Sequence, residues 1–578
     1  MRMTMEVRVF LAIFLCFIIL VVFQEQFSTK PKPTPTPIAS VTPGSPTPAA
    51  GAPASSGSPV PSTTATPSSV AGAVAPTTAI IANAAARNVV VETDAYTATF
   101  STQGGVLTSY RLRHYPDATG KPLELIPPDL PMGTFPKPFT VYTDDDKESA
   151  TLAAGLYETT AESLSLGKGP GTLTFTYRDE SGLSARKTFY FRPKDQEYVL
   201  NVEASVDAAG KPRPVTLAFG PGLGLGYAAD GRSFTAPGAL QFVNGSVERL
   251  SADNVQKQGR YEGPMRYAGV EDHYFVAVAL LADTPARADY SPVTMPITGG
   301  ANGATRSFIS FSVRPNPAAA PTQSVAVPFF IGPKDFDSLR AADPQLTRAI
   351  NFGMFAVIVV PLLQALKWVN TYLGNYGWSI VVLTVIINIL IFPLRHRSMV
   401  SMKKMQAIQP EVKALQDRYA KYKVTDPERQ KMNSEMLALY KQKGVSPASG
   451  CVPMLLTMPI LLAFYSLLSQ AIELRGAPFF GWITDLASKD PTYIWPVLMG
   501  VTMFIQQRMM PSTADPMQQK IFMLMPVIFT VMFLTVPSGL VIYWLVSNVL
   551  TIGQQYITNR ITVGPAIPKP AAAVLRKG

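Results

Sequence analysis

The chain has 578 residues, of which 47% are hydrophobic and 15% charged, with a net charge of +11. The high hydrophobic fraction argues against an ordinary soluble protein and indicates a membrane protein with room for several domains. The positive charge does not require a nucleic-acid partner, because the cytoplasmic loops of membrane proteins carry the same excess. The two cysteines, Cys16 and Cys451, both lie in apolar segments, so the sequence predicts neither a disulfide framework nor a cysteine metal site.

The first predicted element is the apolar segment 9–23, which follows Arg2 and Arg8. Its length fits a transmembrane anchor or a signal peptide, and no small-residue cleavage site follows it directly, which favours an anchor at residues 1–27. We expect the amino end in the cytoplasm. Residues 34–86 contain no charged residue and are dominated by Pro, Thr, Ser and Ala. We therefore predict a disordered linker at residues 28–87.

Residues 88–345 are predicted to form a β domain outside the cytoplasm. Apolar and polar residues alternate in segments such as "AYTATF" and "TLTFTYR", with Gly, Pro and Asp between them. Alternation with period two is typical of strands with one buried face, and many short strands without helical patterns favour a large antiparallel sandwich. Glu271, Asp272 and His273 form a cluster here. We interpret them as surface charges rather than a catalytic site, because nothing else in the sequence completes such a site.

Long apolar segments follow Pro333, and the charge pattern sets their orientation. The candidate spans are residues 378–392, 451–469, 494–505, 521–536 and 540–556, which with the first anchor make six. The segment 395–443 holds twelve Lys and Arg against five Asp and Glu, so it is predicted to be cytoplasmic. A further crossing at 352–366 would place that basic segment outside. Residues 346–373 are therefore predicted to be an amphipathic helix that lies on the outer surface of the membrane spanned by the other helices.

Residues 395–445 are predicted to be a cytoplasmic helical hairpin. Apolar residues recur there at spacings of three and four on two helices, with Thr425 as the cap of the second helix. One hypothesis is that the two stripes only pack on each other. The other is that methionine-rich faces and lysine flanks contact varied apolar segments or a ribosome surface. The candidate residues are Met402, Met405, Met432, Met436, Lys403 and Lys404.

One carboxamide, Asn388, lies inside the apolar segment "TVIINILIFPL". It is either a hydrogen-bonding contact between helices or part of a wet cavity within the membrane. The spans contain no Asp or Glu, which argues against a proton-coupled transporter. The other polar side chains predicted to line such a cavity are Thr384, Thr457, Ser466, Gln470 and Ser547.

Several segments closely resemble the YidC/Alb3 family of membrane protein insertases, of the Gram-negative type with a large periplasmic domain. They include "GCVPMLLTMPILLAFYSLL", "DPMQQKIFMLMPVIFTVMF" and "PSGLVIYWLVSNVLTIGQQ". The resemblance implies six transmembrane helices, five of them in an insertase core at residues 374–560, with a basic cytoplasmic tail at 561–578. It also implies an all-β supersandwich similar to sugar mutarotases. The implied function is the insertion and folding of inner-membrane proteins, without enzyme activity, nucleotide, cofactor or metal.

The resemblance also implies partners and site residues. The implied partners are nascent inner-membrane proteins, the Sec translocon (SecYEG and SecDF), the ribosome and membrane lipids. The resemblance places Thr384 near the substrate path, with Tyr543 and Trp544 as further candidates. Many family members carry an arginine where this chain has Asn388. We hypothesise that Arg395 and Arg397, at the cytoplasmic entry, supply the missing charge.

An alternative function stays open at this point. In this alternative the protein is a membrane-anchored envelope enzyme or carbohydrate-binding protein that acts through the β domain, and the helices are only an anchor. The two functions differ in where they tolerate substitutions. An insertase should tolerate many changes in the β domain but few in the spans.

Overall fold

The computed structural model describes residues 79–81, 85–117, 119–127, 135–159, 161–192, 196–223, 237–296, 305–317, 324–422, 426–444, 452–509 and 516–561. The predicted anchor at residues 1–27 lies outside the described residues, as do the linker up to residue 78 and the tail after residue 561. The described part contains a β domain followed by a set of apolar helices.

The β domain contains eighteen strands within the described residues. They are β1 Ala79–Ile81, β2 Asn88–Thr93, β3 Tyr96–Ser101, β4 Val106–Pro116, β5 Pro122–Glu124, β6 Thr140–Tyr142, β7 Ser163–Gly167, β8 Gly171–Asp179, β9 Leu183–Phe191, β10 Val199–Ala208, β11 Lys211–Pro212, β12 Thr216–Phe219, β13 Gly238–Val243, β14 Ser246–Leu250, β15 Arg260–Glu271, β16 Phe275–Pro296, β17 Thr305–Pro315 and β18 Val325–Pro333.

These strands form two sheets. The larger sheet has 13 strands in the order β1-β8-β9-β10-β18-β16-β15-β13-β14, with β6, β11, β12 and β17 attached beside this path. The smaller sheet has the order β5-β4-β3-β2-β7. Among the described pairs only β2 with β7 is parallel. The predicted antiparallel character of the domain is therefore confirmed.

Period-two alternation builds the core between the two sheets. On β8, Leu173, Phe175 and Tyr177 are buried while their neighbours are more exposed. Phe100 of the smaller sheet and Phe189 of the larger sheet bring their ring centroids to 4.7 Å. Aromatic rings that meet at this distance add to the free energy gained by burying their area. The two sheets are thus held together by a continuous hydrophobic core that includes these rings.

The end of the predicted linker belongs to the β domain, which corrects the predicted boundary at residue 87. β1 pairs with β8, so that Ala79 lies opposite Asp179. Farther on, the backbone N–H of Arg87 donates to the hydroxyl of Thr102 at 2.9 Å. The short apolar segment "AII" at 79–81 gives too weak a pattern to predict a strand, and only its pairing with an edge of the large sheet makes it one.

Eleven α-helices are described. They are α1 Asp146–Ala154, α2 Ala252–Lys257, α3 Phe336–Ala342, α4 Ala356–Leu373, α5 Tyr376–Ala407, α6 Gln409–Arg418, α7 Pro427–Gln442, α8 Val452–Gln470, α9 Ile494–Met509, α10 Pro516–Phe533 and α11 Ser538–Ile561. Short 3₁₀ turns at Pro344–Ala349, Gly353–Phe355 and Ile472–Leu474 connect some of them.

The apolar helices overlap the predicted spans, and one further apolar helix, Gly353–Leu373, lies in the segment 346–373 that was predicted to be an amphipathic surface helix. Three are long and apolar enough to cross a membrane, Gly353–Leu373, Tyr376–Ala407 and Ser538–Arg560, and Met458–Gln470 and Phe522–Phe533 are shorter apolar helices. The helix that corresponds to the predicted span 521–536 is shorter at its carboxy-terminal end. α10 ends at Phe533, and a turn leads from there to Pro537. α5 continues beyond its predicted end at residue 392 and leads directly into the predicted hairpin.

The β domain and the helices meet at one end of α8. Nε2 of His273 lies 2.8 Å from the carbonyl oxygen of Ser469, in the last turn of α8. Nζ of Lys367, near the end of α4, lies 3.1 Å from an oxygen of Asp335 and 3.4 Å from Oε1 of Glu473. Because Asp335 follows β18 and Glu473 follows α8, this lysine joins both parts. We call this end of the helices the β-domain end.

Both ends of α4 lie at the β-domain end. The hydroxyl of Ser466, one turn before the end of α8, donates to the carbonyl of Phe352 at 3.0 Å, just before α4 begins. Near the other end of α4, Lys367 contacts Glu473. Fifteen residues of helix rise by about 22 Å. Over that length α4 therefore stays near the carboxy-terminal end of α8 and does not run parallel to α8.

The loop between α8 and α9 fixes the starts of α5 and α11 at the same end. Nδ2 of Asn375, the N-cap of α5, donates to the carbonyl of Phe479 at 3.2 Å. The hydroxyl of Ser538, the first residue of α11, donates to the carbonyl of Ser488 at 2.8 Å. α5 and α11 therefore start together at the β-domain end, and their carboxy-terminal ends lie at the opposite end, which we call the hairpin end.

The interpretation of Glu271, Asp272 and His273 as surface charges is wrong, because Glu271 and His273 are buried. Glu271 accepts from Nε of Arg249 at 2.9 Å and from Nζ of Lys334 at 2.7 Å. Burial by itself raises the pKa of Glu271, but the two cations outweigh burial and hold that pKa below its ordinary value. The cluster is a buried ionic connection between β14, β15 and the end of β18.

We predict that Glu271→Gln destabilises the β domain by about 3 kcal/mol, because it leaves Arg249 and Lys334 facing a neutral group in a buried site. Hydrogen exchange of β15 and β18 peptides, measured by mass spectrometry, checks this. Glu262→Gln on the exposed face of the same strand is the matched control. Equal protection in the two variants would contradict the prediction.

The same carboxylate predicts a pH dependence. The pKa of Glu271 is lower in the folded than in the unfolded chain, so the carboxylate stabilises the folded domain above its unfolded pKa of about 4.3. This contribution is lost as the pH falls through the folded pKa. The stability difference between the natural chain and Glu271→Gln should therefore be largest near neutral pH and shrink under acid.

A further prediction concerns the packing of α9 on α10. A Cβ on Gly500 of α9 would overlap the hydroxyl of Thr530 on α10. We expect Gly500→Ala to destabilise the helices by about 1–3 kcal/mol, the usual range for overpacking. Thermal unfolding followed by tryptophan fluorescence reports on this region, since all five tryptophans lie after residue 367. Gly553→Ala on α11, where the added methyl meets open space, should leave the midpoint unchanged.

Candidate functional site

Thr384 and Asn388 lie one turn apart on a buried face of α5. The hydroxyl of Thr384 donates to the carbonyl of Ile380 at 2.6 Å, and Nδ2 of Asn388 donates to the carbonyl of Thr384 at 2.8 Å. Both donors are thus satisfied within their own helix. The amide oxygen of Asn388 is left to accept a hydrogen bond from another residue.

Arg395 supplies that hydrogen bond. Its Nη1 donates to Oδ1 of Asn388 at 2.7 Å and to the hydroxyl of Thr551 on α11 at 3.1 Å. Side chains on a helix lean toward its amino end. Arg395 follows Asn388 by seven residues, a rise of about 10 Å, and its guanidinium spans this rise back toward the β-domain end. A cation that starts near the hairpin end therefore contacts the amide in the middle of the helix.

A row of polar side chains on α11 continues this contact. The hydroxyl of Thr551 donates to the carbonyl of Ser547 at 2.7 Å, and Nε2 of Gln554 donates to the carbonyl of Phe392 at 3.1 Å. Nδ1 of His396 lies 3.0 Å from the hydroxyl of Thr558. We call this row between α5 and α11 the polar seam, which comprises Asn388, Arg395, His396, Thr551, Gln554 and Thr558.

The sequence analysis missed Thr551, Gln554 and Thr558. The signal was present, because Ser547, Thr551, Gln554 and Thr558 are separated by four, three and four residues, a spacing that puts them on one face of a helix. What the sequence does not show is which helix this face meets. This face meets α5, because α5 and α11 start side by side at the β-domain end.

Two of the predicted groove residues lie elsewhere, and the side chain of a third is not described. Ser466 bonds to Phe352 at the β-domain end, and Gln470 is the last residue of α8 at that same end. The predicted grouping of these two residues with Asn388 is therefore wrong. Thr457 lies in α8, but its side chain lies outside the described part of the chain.

Tyr543 and Trp544 pack against neighbouring helices. The ring of Tyr543 stacks on Phe464 of α8, with centroids 4.4 Å apart and planes 9° apart. Trp544 packs against α10, with its ring 4.9 Å from that of Phe533. A different contact joins α9 to α11, where Nδ2 of Asn548 donates to the hydroxyl of Thr502 at 3.2 Å. These residues hold α11 between its neighbours.

The two stripes of the hairpin pack on each other. Ile408 and Val412 form one cluster with Met405 and Met436, and Leu415 and Tyr419 form another with Met432 and Met436. Met405, Met432 and Met436 thus take part in the packing that the first hypothesis expects, and their contact with other partners stays a prediction. The N-cap of α7 is Asp426, whose side chain accepts from the N–H of Glu428 at 3.1 Å. Thr425, the predicted cap, lies outside the described residues.

The remaining predicted residues of this region lie at its surface or at the end of the seam. Arg397 and Lys404 are exposed, and Met402 is half-buried. Nζ of Lys403 lies 3.5 Å from the carbonyl oxygen of Thr558, at the hairpin end of the polar seam. Of the two arginines proposed for the missing charge, only Arg395 contacts Asn388.

Apolar helices that enclose uncharged polar side chains and an arginine, and that carry a β domain at one end, define a helical membrane protein with a polar site within its helices. Comparison with known families agrees. The family model described as 60Kd inner membrane protein matches residues 368–564, and the one described as YidC periplasmic domain matches residues 88–365. The chain belongs to the YidC family of membrane protein insertases.

Individual relatives cover most of the chain. It is 37% identical to the membrane protein insertase YidC of Geobacter sulfurreducens over 487 residues, which is 81% of this chain and 85% of the relative. It is 33% identical to that of Geotalea daltonii over 571 residues, 96% and 99% of the two chains. A crystal structure of an active YidC insertase with its first transmembrane domain resolved is 17% identical, with a TM-score of 0.33, and the match covers 84% of this chain and 95% of that one.

These findings decide between the two functions left open by the sequence. The relatives insert proteins into membranes, and the family is not one of enzymes. The suggested alternative, an envelope enzyme acting through the β domain, is therefore not supported. The matching family model describes an inner membrane protein, and the relatives are membrane protein insertases.

Proposed function

We propose that this insertase carries client segments past the polar seam, through a hydrated groove beside α5 and α11. The observation that supports this most is the contact of Arg395 with Asn388 and Thr551. Polar side chains cost free energy inside a membrane and are kept there when they act on a substrate path. A hydrated seam lowers the cost of moving the polar backbone and side chains of a client into the bilayer.

We propose six crossings, with both termini in the cytoplasm and the β domain in the periplasm. The β domain marks one side of the membrane, and α5, α9 and α11 all start on that side. The opposite end then carries the hairpin, and its segment 395–443 has twelve basic against five acidic residues, as expected for a cytoplasmic loop. Since both ends of α4 lie at the β-domain end, α4 is proposed to lie on the periplasmic surface of the inner membrane. The anchor at residues 1–27 provides the sixth crossing.

We propose that the partners beyond the client are the Sec translocon (SecYEG and SecDF), the ribosome and membrane lipids. Exposed apolar side chains on α5 support contact with lipid, since Ile389 and Leu390 are 65% and 71% exposed. The basic surface near the hairpin, including Lys404, suits the phosphates of ribosomal RNA. The proposed activity includes assistance in folding and uses no nucleotide, metal or other cofactor.

Photo-cross-linking from single positions in the full chain tests the proposed path. We expect cross-links to ribosome-bound nascent inner-membrane proteins from positions 388 and 547, beside the polar seam. Position 466 is the matched control. It lies on α8 at the β-domain end, where the hydroxyl of Ser466 donates to the carbonyl of Phe352. We expect little cross-linking from this position.

The cross-links from positions 388 and 547 should appear only while the client span is entering the membrane. Equal labelling from position 466, or labelling that persists after the client is released, would contradict a path along the seam. A cross-linker at position 544 extends the test toward α10, because Trp544 packs there.

A further inference from the structure

The loop between α8 and α9 presents an aromatic turn at the surface. Residues 476–484, "GAPFFGWIT", contain no charged side chain. Phe480 is 65% exposed, and Trp482 is exposed as well. Large apolar side chains that lie together at a surface, with no charge between them, mark a contact with a lipid or protein partner. We call residues 479–482 the aromatic turn.

Hydrogen bonds within the loop hold the aromatic turn in one shape. The backbone N–H of Phe479 donates to the carbonyl of Ile483 at 3.0 Å, and that of Leu486 donates to the carbonyl of Ala477 at 2.9 Å. Gly481 lies at the tip with a φ of 63°, a left-handed conformation that favours glycine. Because these backbone groups are paired with each other, the turn can enter the apolar edge of a membrane without leaving them unsatisfied.

The polar end of the Trp482 side chain faces the protein. Its indole N–H donates to Oδ1 of Asp490 at 2.9 Å. Asp490 is itself buried, and its other oxygen accepts from the backbone N–H of Trp495 at 2.9 Å, at the start of α9. The exposed part of the indole is therefore apolar. A tryptophan with a satisfied N–H and an apolar ring surface suits the boundary between water and membrane.

The aromatic turn lies level with the first residues of two proposed spans. Nδ2 of Asn375, the N-cap of α5, donates to the carbonyl of Phe479 at 3.2 Å. The ring centroid of Phe479 lies 5.2 Å from that of Trp378, in the first turn of α5, and 5.7 Å from that of Trp495, the second residue of α9. Helices that cross a membrane begin near its surface. The turn therefore lies at the depth of that surface, on the side of the β domain.

Exposed apolar side chains continue from the turn onto the neighbouring helices. Trp378 on α5 is exposed, as are Ile494 and Val497 on α9. On α4, Trp368 and Tyr372 are exposed, and their ring centroids lie 5.2 Å apart. In the proposed topology α5 and α9 cross the membrane and α4 lies on its surface, so these side chains meet lipid. The aromatic turn extends the same surface.

We infer that the aromatic turn is a membrane anchor, whose exposed side chains, Phe480 and Trp482, insert into the periplasmic leaflet of the inner membrane. They contact the glycerol and upper acyl region of phospholipids, where aromatic side chains are enriched. Nine consecutive uncharged residues favour lipid over a protein partner, since protein interfaces carry a polar rim. The inference rests on the proposed crossings and adds a lipid contact outside the spans.

The test measures the depth of position 480 in the full chain in phospholipid liposomes. Cys16→Ser and Cys451→Ser remove the natural thiols, and Phe480→Cys carries one environment-sensitive fluorophore. We expect bromines on the upper acyl chains to quench this label and iodide in the water to lose access to it, as for a group about 5–10 Å inside the membrane boundary. Ile80→Cys is the matched control, because Ile80 on β1 is 63% exposed. Its label should be quenched by iodide alone.

A pair of variants at the tip of the turn separates charge from shape. A Cβ on Gly481 meets open space, and both Asp and Asn tolerate a left-handed conformation. A charged side chain is costly inside a membrane. Gly481→Asp should therefore lift the turn and raise iodide quenching at position 480 toward the value at position 80, whereas Gly481→Asn should keep most of the protection. Full protection in Gly481→Asp would overturn the inference.

Failure of the anchor and failure of the proposed crossings have different signatures. If iodide quenches the label at position 480 as strongly as that at position 80, the anchor is overturned. Protection that then appears only after purified translocon is added would assign the turn to a protein partner instead. If iodide outside sealed liposomes reaches both position 80 and a label on Leu437 of the hairpin, the two lie on one side, and the proposed crossings fail whatever the depth of position 480.

Discussion

The structure of the helices depends on one constraint, which is that polar groups placed within a membrane must find hydrogen-bond partners inside the protein. The hydroxyls of Thr384 and Thr551 and the amide of Asn388 each donate to a carbonyl one turn earlier in their own helix. This leaves their oxygens as acceptors. Among the described residues, the only charged donor that contacts two of them is Arg395. The position of the cation and the positions of its neutral acceptors therefore depend on each other.

The β domain makes that arrangement possible by fixing where the helices begin. His273 contacts the last turn of α8, and Lys367 joins α4 to both the β domain and the residue after α8. The loop before α9 then holds the starts of α5 and α11 side by side. Two helices that start together stay in register, and residues that follow at similar distances along them meet. In this way contacts at the β-domain end determine which residues face each other in the polar seam.

Much of this fold was predictable from the sequence. Alternation with period two indicated the strands, and long apolar segments indicated α5, α8, α9, α10 and α11. The repeat of apolar residues at three and four also indicated a hairpin that packs on itself. Two local errors have physical reasons: β1 becomes a strand only by pairing with a sheet edge, and Glu271 is buried only because Arg249 and Lys334 offset its charge.

The site was predictable in part. Asn388, Thr384 and Ser547 were found because polar residues stand out in apolar helices, and Arg395 because the usual family arginine is missing. Ser466 and Gln470 were misplaced because polarity alone does not reveal depth, and both lie at the β-domain end. Thr551 was missed because its importance depends on Arg395, seven residues beyond Asn388 on another helix. Contacts of that kind require the three-dimensional arrangement.

The most direct test of the central claim exchanges the two members of the pair. Asn388→Arg combined with Arg395→Asn keeps one cation and one amide in contact, with their positions reversed along α5. The account predicts that the double variant keeps most of the cross-linking from position 547 to ribosome-bound nascent inner-membrane proteins, whereas Arg395→Asn alone loses it. Equal loss in the double variant and in Arg395→Asn would contradict the claim that the contact between the two side chains, rather than the arginine position alone, creates the site.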